Sequence, residues 1–239
     1  MFADIEGLYE RLPPEASRAD YAREVVDLNC LGKPTRNART LALRHLTALY
    51  GLDTKLAMFR ALRRFWALDP AGRPLLALAT AMARDPLLRA SGPLILGKKV
   101  GETVTRQDLE HLLSGRFVDR FSPSSLKSFA QNIGGTWTQA GYLQGKAHKT
   151  RHQPDVGPGA AAFCLFLGFL EGQSGQRLFA TAWMKLLDRP LDTLETLATA
   201  AAHRDWLRYL QAGGVKELSF PQFLTPEEER MRQEAMHVV

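Results

Sequence analysis

The chain has 239 residues, 45% of them apolar and 23% charged, an ordinary globular composition with enough apolar content to bury a real core in one large domain or two small ones. Two cysteines, Cys30 and Cys164, stand far apart, which excludes a disulfide framework and a Cys-x-x-Cys metal pair and points to a reducing cytoplasm. The net charge of +6 is a modest excess whose placement matters more than its size.

In chain order, Asp4–Leu12 reads as a short helix stopped by Pro13-Pro14, and Glu15–Leu28 as a second with Tyr21, Val25 and Leu28 at helical spacing. Thr35 is a good N-cap for a helix through Tyr50, ended by Gly51. Asp53 or Thr54 is expected to cap a third to Leu68, with Phe59, Leu62, Phe65 and Trp66 in an apolar stripe. Arg73–Met82 is nearly all Leu and Ala and is expected to be buried, and Asp85-Pro86 restarts a helix. Ser91-Gly-Pro93 and Gly97–Gly101 form the first cluster of breakers long enough for a seam, which divides the chain into an N-terminal helical domain, residues 1–98, and a C-terminal one, residues 99–239.

Beyond that seam the order suggests a winged helix-turn-helix over about residues 103–160. Thr103 or Thr105 caps a helix carrying Leu109, Leu112 and Leu113, and Ser122-Pro123 is a strong start for the next. Phased at ~100° per residue, that helix turns Leu126, Phe129, Ala130, Ile133 and Trp137 to one side. Ser124, Ser128, Gln131, Asn132, Gly135 and Gln139 fall on the other, which carries no acid. Asn and Gln pair with adenine edges, and Ser bonds phosphate, so this face suits groove insertion, with Lys127 beside it. Gly134-Gly135 is the complication: a kink, a close backbone approach and a loop between two shorter helices all fit it. Gly141 reads as a left-handed cap, Tyr142-Leu143-Gln144 as a short strand, and Gly145–Gly159 as a wing with Lys146, His148, Lys149, Arg151 and His152 near its tip. Whether Ala160–Leu170 opens as a returning strand or is helical throughout stays open, but it is too short for the ~20 residues of a membrane span.

The last third is expected to echo that order over about residues 176–220. Gln176–Leu187 reads as a helix, and Asp192–Glu195 has capping-box spacing before another. A further helix runs from about His203 to Ala212, and Val215–Phe220 is strand-like. Pro226–Val239 is a charged terminal helix or a frayed tail. The fold class is therefore mainly α: a helical bundle followed by winged helix-turn-helix-like units with a few short strands.

Charge supports the nucleic-acid reading. Lys33–Arg64 carries Lys33, Arg36, Arg39, Arg44, Lys55, Arg60, Arg63 and Arg64 against only Asp53, and Arg120–Arg151 has cations and no acid. Two such segments suit a polyanion, though solvated helix faces are also often basic. The expected contacts are Ser124, Lys127, Ser128, Gln131, Asn132, Lys146, Lys149 and Arg151, with Arg36 and Arg39 from the earlier stretch. Catalytic patterns are lacking. His148 and His152 have cationic neighbours and no acidic or thiol partner at ligand spacing, Gly172–Gly175 is not a nucleophile elbow, and Gly157-Pro-Gly159 is not a phosphate loop. No metal, no cofactor and no enzymatic activity are expected. The N-terminal Met-Phe-Ala-Asp-Ile-Glu lacks the basic and apolar regions of a secretory signal.

Four segments carry a resemblance: Asn29-Cys-Leu-Gly-Lys33-Pro-Thr35-Arg36-Asn-Ala-Arg39-Thr40, Thr105-Arg-Gln-Asp108, Ser125-Leu-Lys127-Ser-Phe129-Ala-Gln131-Asn132 and Ala140-Gly-Tyr142-Leu143. In order and spacing they resemble the small BrxA-type proteins of BREX phage-defence systems, over about residues 25–220. That family is helical, has winged-helix-like units, binds DNA and has been likened to the RNA-binding antitermination protein NusB. The resemblance implies a non-enzymatic, double-stranded-DNA-binding accessory with other defence-system proteins as partners. Gly134-Gly135 and the Gly145–Gly159 loop depart from the pattern. A helical protein-interaction scaffold, or a NusB-like RNA-binding, transcription-associated factor, is the alternative.

Overall fold

Local capping chemistry sets many of the helix starts in the computed structural model, which describes residues 1–146 and 148–237. After α1 (Phe2–Arg11), Ser17 and Asp20 form a capping box that opens α2 (Arg18–Ala22), which widens into a π turn at Arg23–Asp27. The helix expected over Glu15–Leu28 thus starts later and ends in a different winding. Thr35 caps α3 (Arg36–Tyr50) by accepting from the Ala38 N–H at 3.1 Å. Next, α4 (Ala57–Leu68) begins past Asp53 and Thr54, on Leu56 with no side-chain cap. After α5 (Arg73–Arg84), Asp85 accepts from the Leu87 and Leu88 N–H groups to start α6 (Pro86–Ala90), and α7 (Gly92–Gly97) follows.

Then comes β1 (Thr103–Val104), α8 (Arg106–Arg116) on a Thr105–Asp108 capping box, and α9 (Pro123–Gln139), whose Ser122 cap accepts from the Ser125 N–H. After Gly141, at φ 82°, come β2 (Leu143–Gln144) and β3 (Lys149–Arg151). The three strands form one antiparallel sheet in the order β1-β3-β2, with Thr103 opposite Thr150 and Leu143 opposite Arg151. Strand, helix, helix, strand, strand, with the first and last strands paired, is the topology of a winged helix-turn-helix. The wing is shorter than expected: its return strand is β3, and Ala147 in its turn lies outside the described residues.

From there α10 (Pro158–Leu170) is helical throughout, apolar on all sides and buried from Gly159 to Phe169, so no strand opens it. The helix expected over Gln176–Leu187 is broken into a 3₁₀ turn, Gly175–Ala180, and α11 (Ala182–Leu186), because Thr181 is extended and caps α11. In α12 (Leu191–Ala202) the cap residue is Pro190 and makes no side-chain cap bond, so the Asp192–Glu195 box does not form. The largest departure is at His203–Ala212: instead of a helix, β4 (Arg208–Ala212) pairs with β5 (Val215–Ser219) as an antiparallel hairpin. Gly213 and Gly214 both have positive φ, 56° and 83°, the backbone that a two-residue hairpin turn requires. In the last third α11 and α12 are therefore followed by a hairpin where a further helix and a single strand were expected. The charged α13 (Pro226–His237) closes the described chain, and Val238-Val239 lies outside it.

The helices and strands gather into two units. One holds residues 1–54 and 77–155, the other residues 55–76 and 156–239. This division differs from the seam expected near residue 98, because the elements on either side of that seam are bonded together. The Trp137 indole N–H donates to the Ser91 hydroxyl at 2.7 Å, and the Arg151 Nε donates to the Ile95 carbonyl at 2.9 Å, so α6 and α7 serve as the supporting helices of the winged unit. In the second unit, Phe65 on α4 stacks on Phe223 at 5.1 Å and meets Phe163 on α10 edge-on at 6.0 Å, and Phe166 packs on Phe220 at 5.2 Å. Each such buried ring contributes about 1.5–3 kcal/mol through burial. No helix among the described residues is long and apolar enough to cross a membrane.

Candidate nucleic-acid interface

The winged unit is held from beneath by one buried cluster. Trp137 is fully buried and meets the Tyr142 ring edge-on at 4.8 Å, while its N–H is satisfied by Ser91, whose own hydroxyl donates to the Leu88 carbonyl at 2.6 Å. Arg151 lies over the other partner of that pair, with its guanidinium carbon 5.2 Å from the Tyr142 ring centre. At 2% exposure its charge is met by the Ile95 and His152 carbonyls, so Arg151 is a strut of the wing and not the phosphate contact expected of it. Backbone bonds complete the frame: the Gly101 N–H donates to the Arg151 carbonyl and the Arg151 N–H to the Glu102 carbonyl, each at 2.8 Å.

With Ala130, Ile133 and Trp137 buried, α9 turns its other side outward, as the helical phase requires. Ser124, Lys127, Ser128, Gln131, Asn132 and Gln139 are all exposed. Ser124 shares a hydroxyl contact with Ser122 at 3.0 Å, whereas the side chains of Lys127, Ser128, Gln131 and Asn132 have no hydrogen-bond or ion-pair partner among the described residues. Polar groups left unpaired on a rigid helix are available to a ligand, and a helix of this kind fits the ≈12 Å major groove.

The wing brings two lysines to the same side. Lys146 is exposed, and Lys149 is half-buried, its ammonium donating to the Thr138 hydroxyl at 2.7 Å and the Gly145 carbonyl at 3.2 Å. Gly145 is required here: its φ is 108°, and a Cβ would collide with the His148 carbonyl. Lys146, Lys149 and Gln131 are among the residues that line a cleft of about 420 Å³ between the start of α8, the middle of α9 and the wing.

That cleft bears on Gly134-Gly135, which lie within an unbroken α9. A Cβ at Gly134 would stand 3.5 Å from Leu109 and from Lys149, an ordinary contact, and one at Gly135 would meet nothing within 4 Å. Packing therefore demands neither glycine, although each costs about 1 kcal/mol of helix propensity relative to Ala. What they do is leave the floor of the cleft without side chains.

Arg36 and Arg39, unlike the α9 side chains, have partners of their own. Their helix, α3, packs on the π turn, where Arg36 reaches Asp27 at 3.4 Å and Arg39 donates to the Val26 carbonyl at 2.9 Å. Most of the remaining cations of the Lys33–Arg64 stretch are similarly engaged: Lys33 pairs with Asp4 at 2.8 Å, Arg60 with Glu228, and Arg64 bonds Gln222 and covers the Phe223 ring, whereas Arg44 is exposed with no partner among the described residues. Arg63 is buried. The stretch is also divided, its first four cations lying in one unit and its last four in the other. The cleft is not legible in the sequence, because β1 and the wing are brought together by long-range strand pairing, Thr103 with Thr150 and Val104 with Lys149. Among the described residues no three His, Cys, Asp or Glu side chains are grouped to hold a metal ion. No protein-family model, characterised protein or solved structure matches the chain.

Proposed function

We propose that the chain is a non-enzymatic, duplex-DNA-binding protein that lays α9 in the major groove and sets Lys146 against the backbone. The observation that carries this reading is the acid-free outward face of α9, with Lys127, Ser128, Gln131 and Asn132 exposed and without partners of their own, on a helix-turn-helix that β1, β2 and β3 complete. Lys127 and Lys146 supply phosphate contacts, and Gln131 and Asn132 any base readout. A role as accessory of a BREX-type defence complex carries over from the resemblance of Asn29–Thr40, Thr105–Asp108 and Ser125–Asn132.

Gel retardation of duplex DNA tests the reading: binding is expected at ~50 mM salt and falls steeply as salt rises, because bound lysines release counterions from the duplex. Absence of binding to any duplex at that salt overturns it. Lys127→Glu with Lys146→Glu is expected to abolish retardation while leaving the protein folded, since both side chains are exposed and unpaired.

A further inference from the structure

The cleft between α8, α9 and the wing has features that groove insertion does not use. Its volume of about 420 Å³ lies within the ~300–1,000 Å³ usual for small-molecule sites. Its walls divide by chemistry: Val104, Leu109 and Ala130 are apolar, Thr105 and Gln131 are polar and uncharged, and Lys146 and Lys149 are cationic. The third cation, Arg106, is neutralised by Glu110 at 2.7 Å.

The two lysines keep their charge for something else. Lys149 bonds only neutral oxygens, those of Thr138 and Gly145, so one of its three N–H donors is unused, and Lys146 has no partner among the described residues. The floor is a second, independent observation. Gly134 and Gly135 lie inside a continuous helix although alanine fits at both, and a side chain at Gly135 would stand in open space on the cleft lining. A flat group lying against the helix backbone uses that bare floor, with apolar contact from Leu109 and Ala130 and an amide partner in Gln131.

We infer that this cleft binds a small phosphorylated ligand of mononucleotide size, its phosphate against Lys146 and Lys149 and its planar body over Gly134-Gly135. The binding does not rest on the duplex reading, and its test contains no DNA. The full chain is titrated with AMP and, separately, with inorganic phosphate, by calorimetry. AMP is expected to bind with Kd of about 1 mM or tighter, and at least about tenfold more tightly than phosphate. Gly135→Leu puts a better helix former into the cleft, at a site where a Cβ meets nothing within 4 Å, and replaces neither lysine, so it is expected to fold and to weaken AMP at least about tenfold. Lys146→Ala, at an exposed position, is expected to weaken AMP and phosphate alike. The inference is overturned if AMP does not bind, if phosphate binds as tightly as AMP, or if folded Gly135→Leu binds AMP as the wild type does.

Discussion

The Lys33–Arg64 stretch and the outward face of α9 differ in how far the protein has already used them. In the first, Lys33, Arg36 and Arg60 each face a carboxylate, Arg39 and Arg64 bond neutral oxygens, and Arg63 is buried. In the second, Lys127, Ser128, Gln131 and Asn132 stand exposed with no partner among the described residues. Cation density along a sequence is therefore a poor guide to a binding surface. What distinguishes α9 is that it carries no acid, which leaves the charge of the exposed Lys127 open to an external phosphate. The same contrast recurs within the wing, where Arg151 supports the fold and Lys146, a few residues earlier, faces solvent.

Substitutions sharpen this contrast, the largest effect coming from the support beneath the surface. Trp137→Ala empties a fully buried site and removes the indole N–H that the Ser91 hydroxyl accepts, and is expected to cost about 3–5 kcal/mol in urea unfolding. Arg151→Met removes the guanidinium that donates to the Ile95 and His152 carbonyls and is expected to cost about 1–3 kcal/mol, against less than about 0.5 kcal/mol for Lys146→Met. An equal loss for both would erase the distinction between strut and contact. Glycines give the next scale. Gly135→Ala is expected to stabilise by up to about 1 kcal/mol, whereas Gly145→Ala, at φ 108° and facing the His148 carbonyl, destabilises by more than about 1 kcal/mol. Arg36→Ala is the smallest: its ion pair with Asp27 is exposed, and the stability change is expected to stay under about 0.5 kcal/mol.

Acid offers a separate probe of the second unit. Burial alone would raise the Glu228 carboxyl, but the Thr225 backbone N–H and the Arg60 guanidinium outweigh it and hold the group below the usual glutamate range. A carboxyl lowered in the folded state adds stability above its unfolded value and loses it as pH falls through the folded one. Stability is therefore expected to decline below the ordinary glutamate range, and Glu228→Gln to flatten that part of the curve.

Elements whose determinants are local were legible in the sequence. Thr35, Asp85, Thr105 and Ser122 cap the helices they were expected to cap, and Gly141 takes the left-handed conformation. The inward and outward sets of α9 follow from helical phase alone. What depends on distant partners was not legible. The burial of Arg151 requires the Ile95 carbonyl and the Tyr142 ring, and an arginine's ordinary place is at the surface. The β4–β5 hairpin was hidden because Trp206, Leu207 and Leu210 also fit helical spacing, while Gly213-Gly214 carried the competing hairpin signal. The cleft could not be read at all, since three separate segments build it.

The most direct test of the α9 and wing surface is the salt dependence of duplex binding for the wild type, Lys146→Ala and Arg36→Ala measured side by side. Removing a lysine that neutralises one phosphate is expected to lower the slope of log K against log salt by about 1, so Lys146→Ala shows that reduction and Arg36→Ala keeps the wild-type slope. A folded Lys146→Ala with the wild-type slope, or a larger reduction for Arg36→Ala, contradicts the placement of the interface.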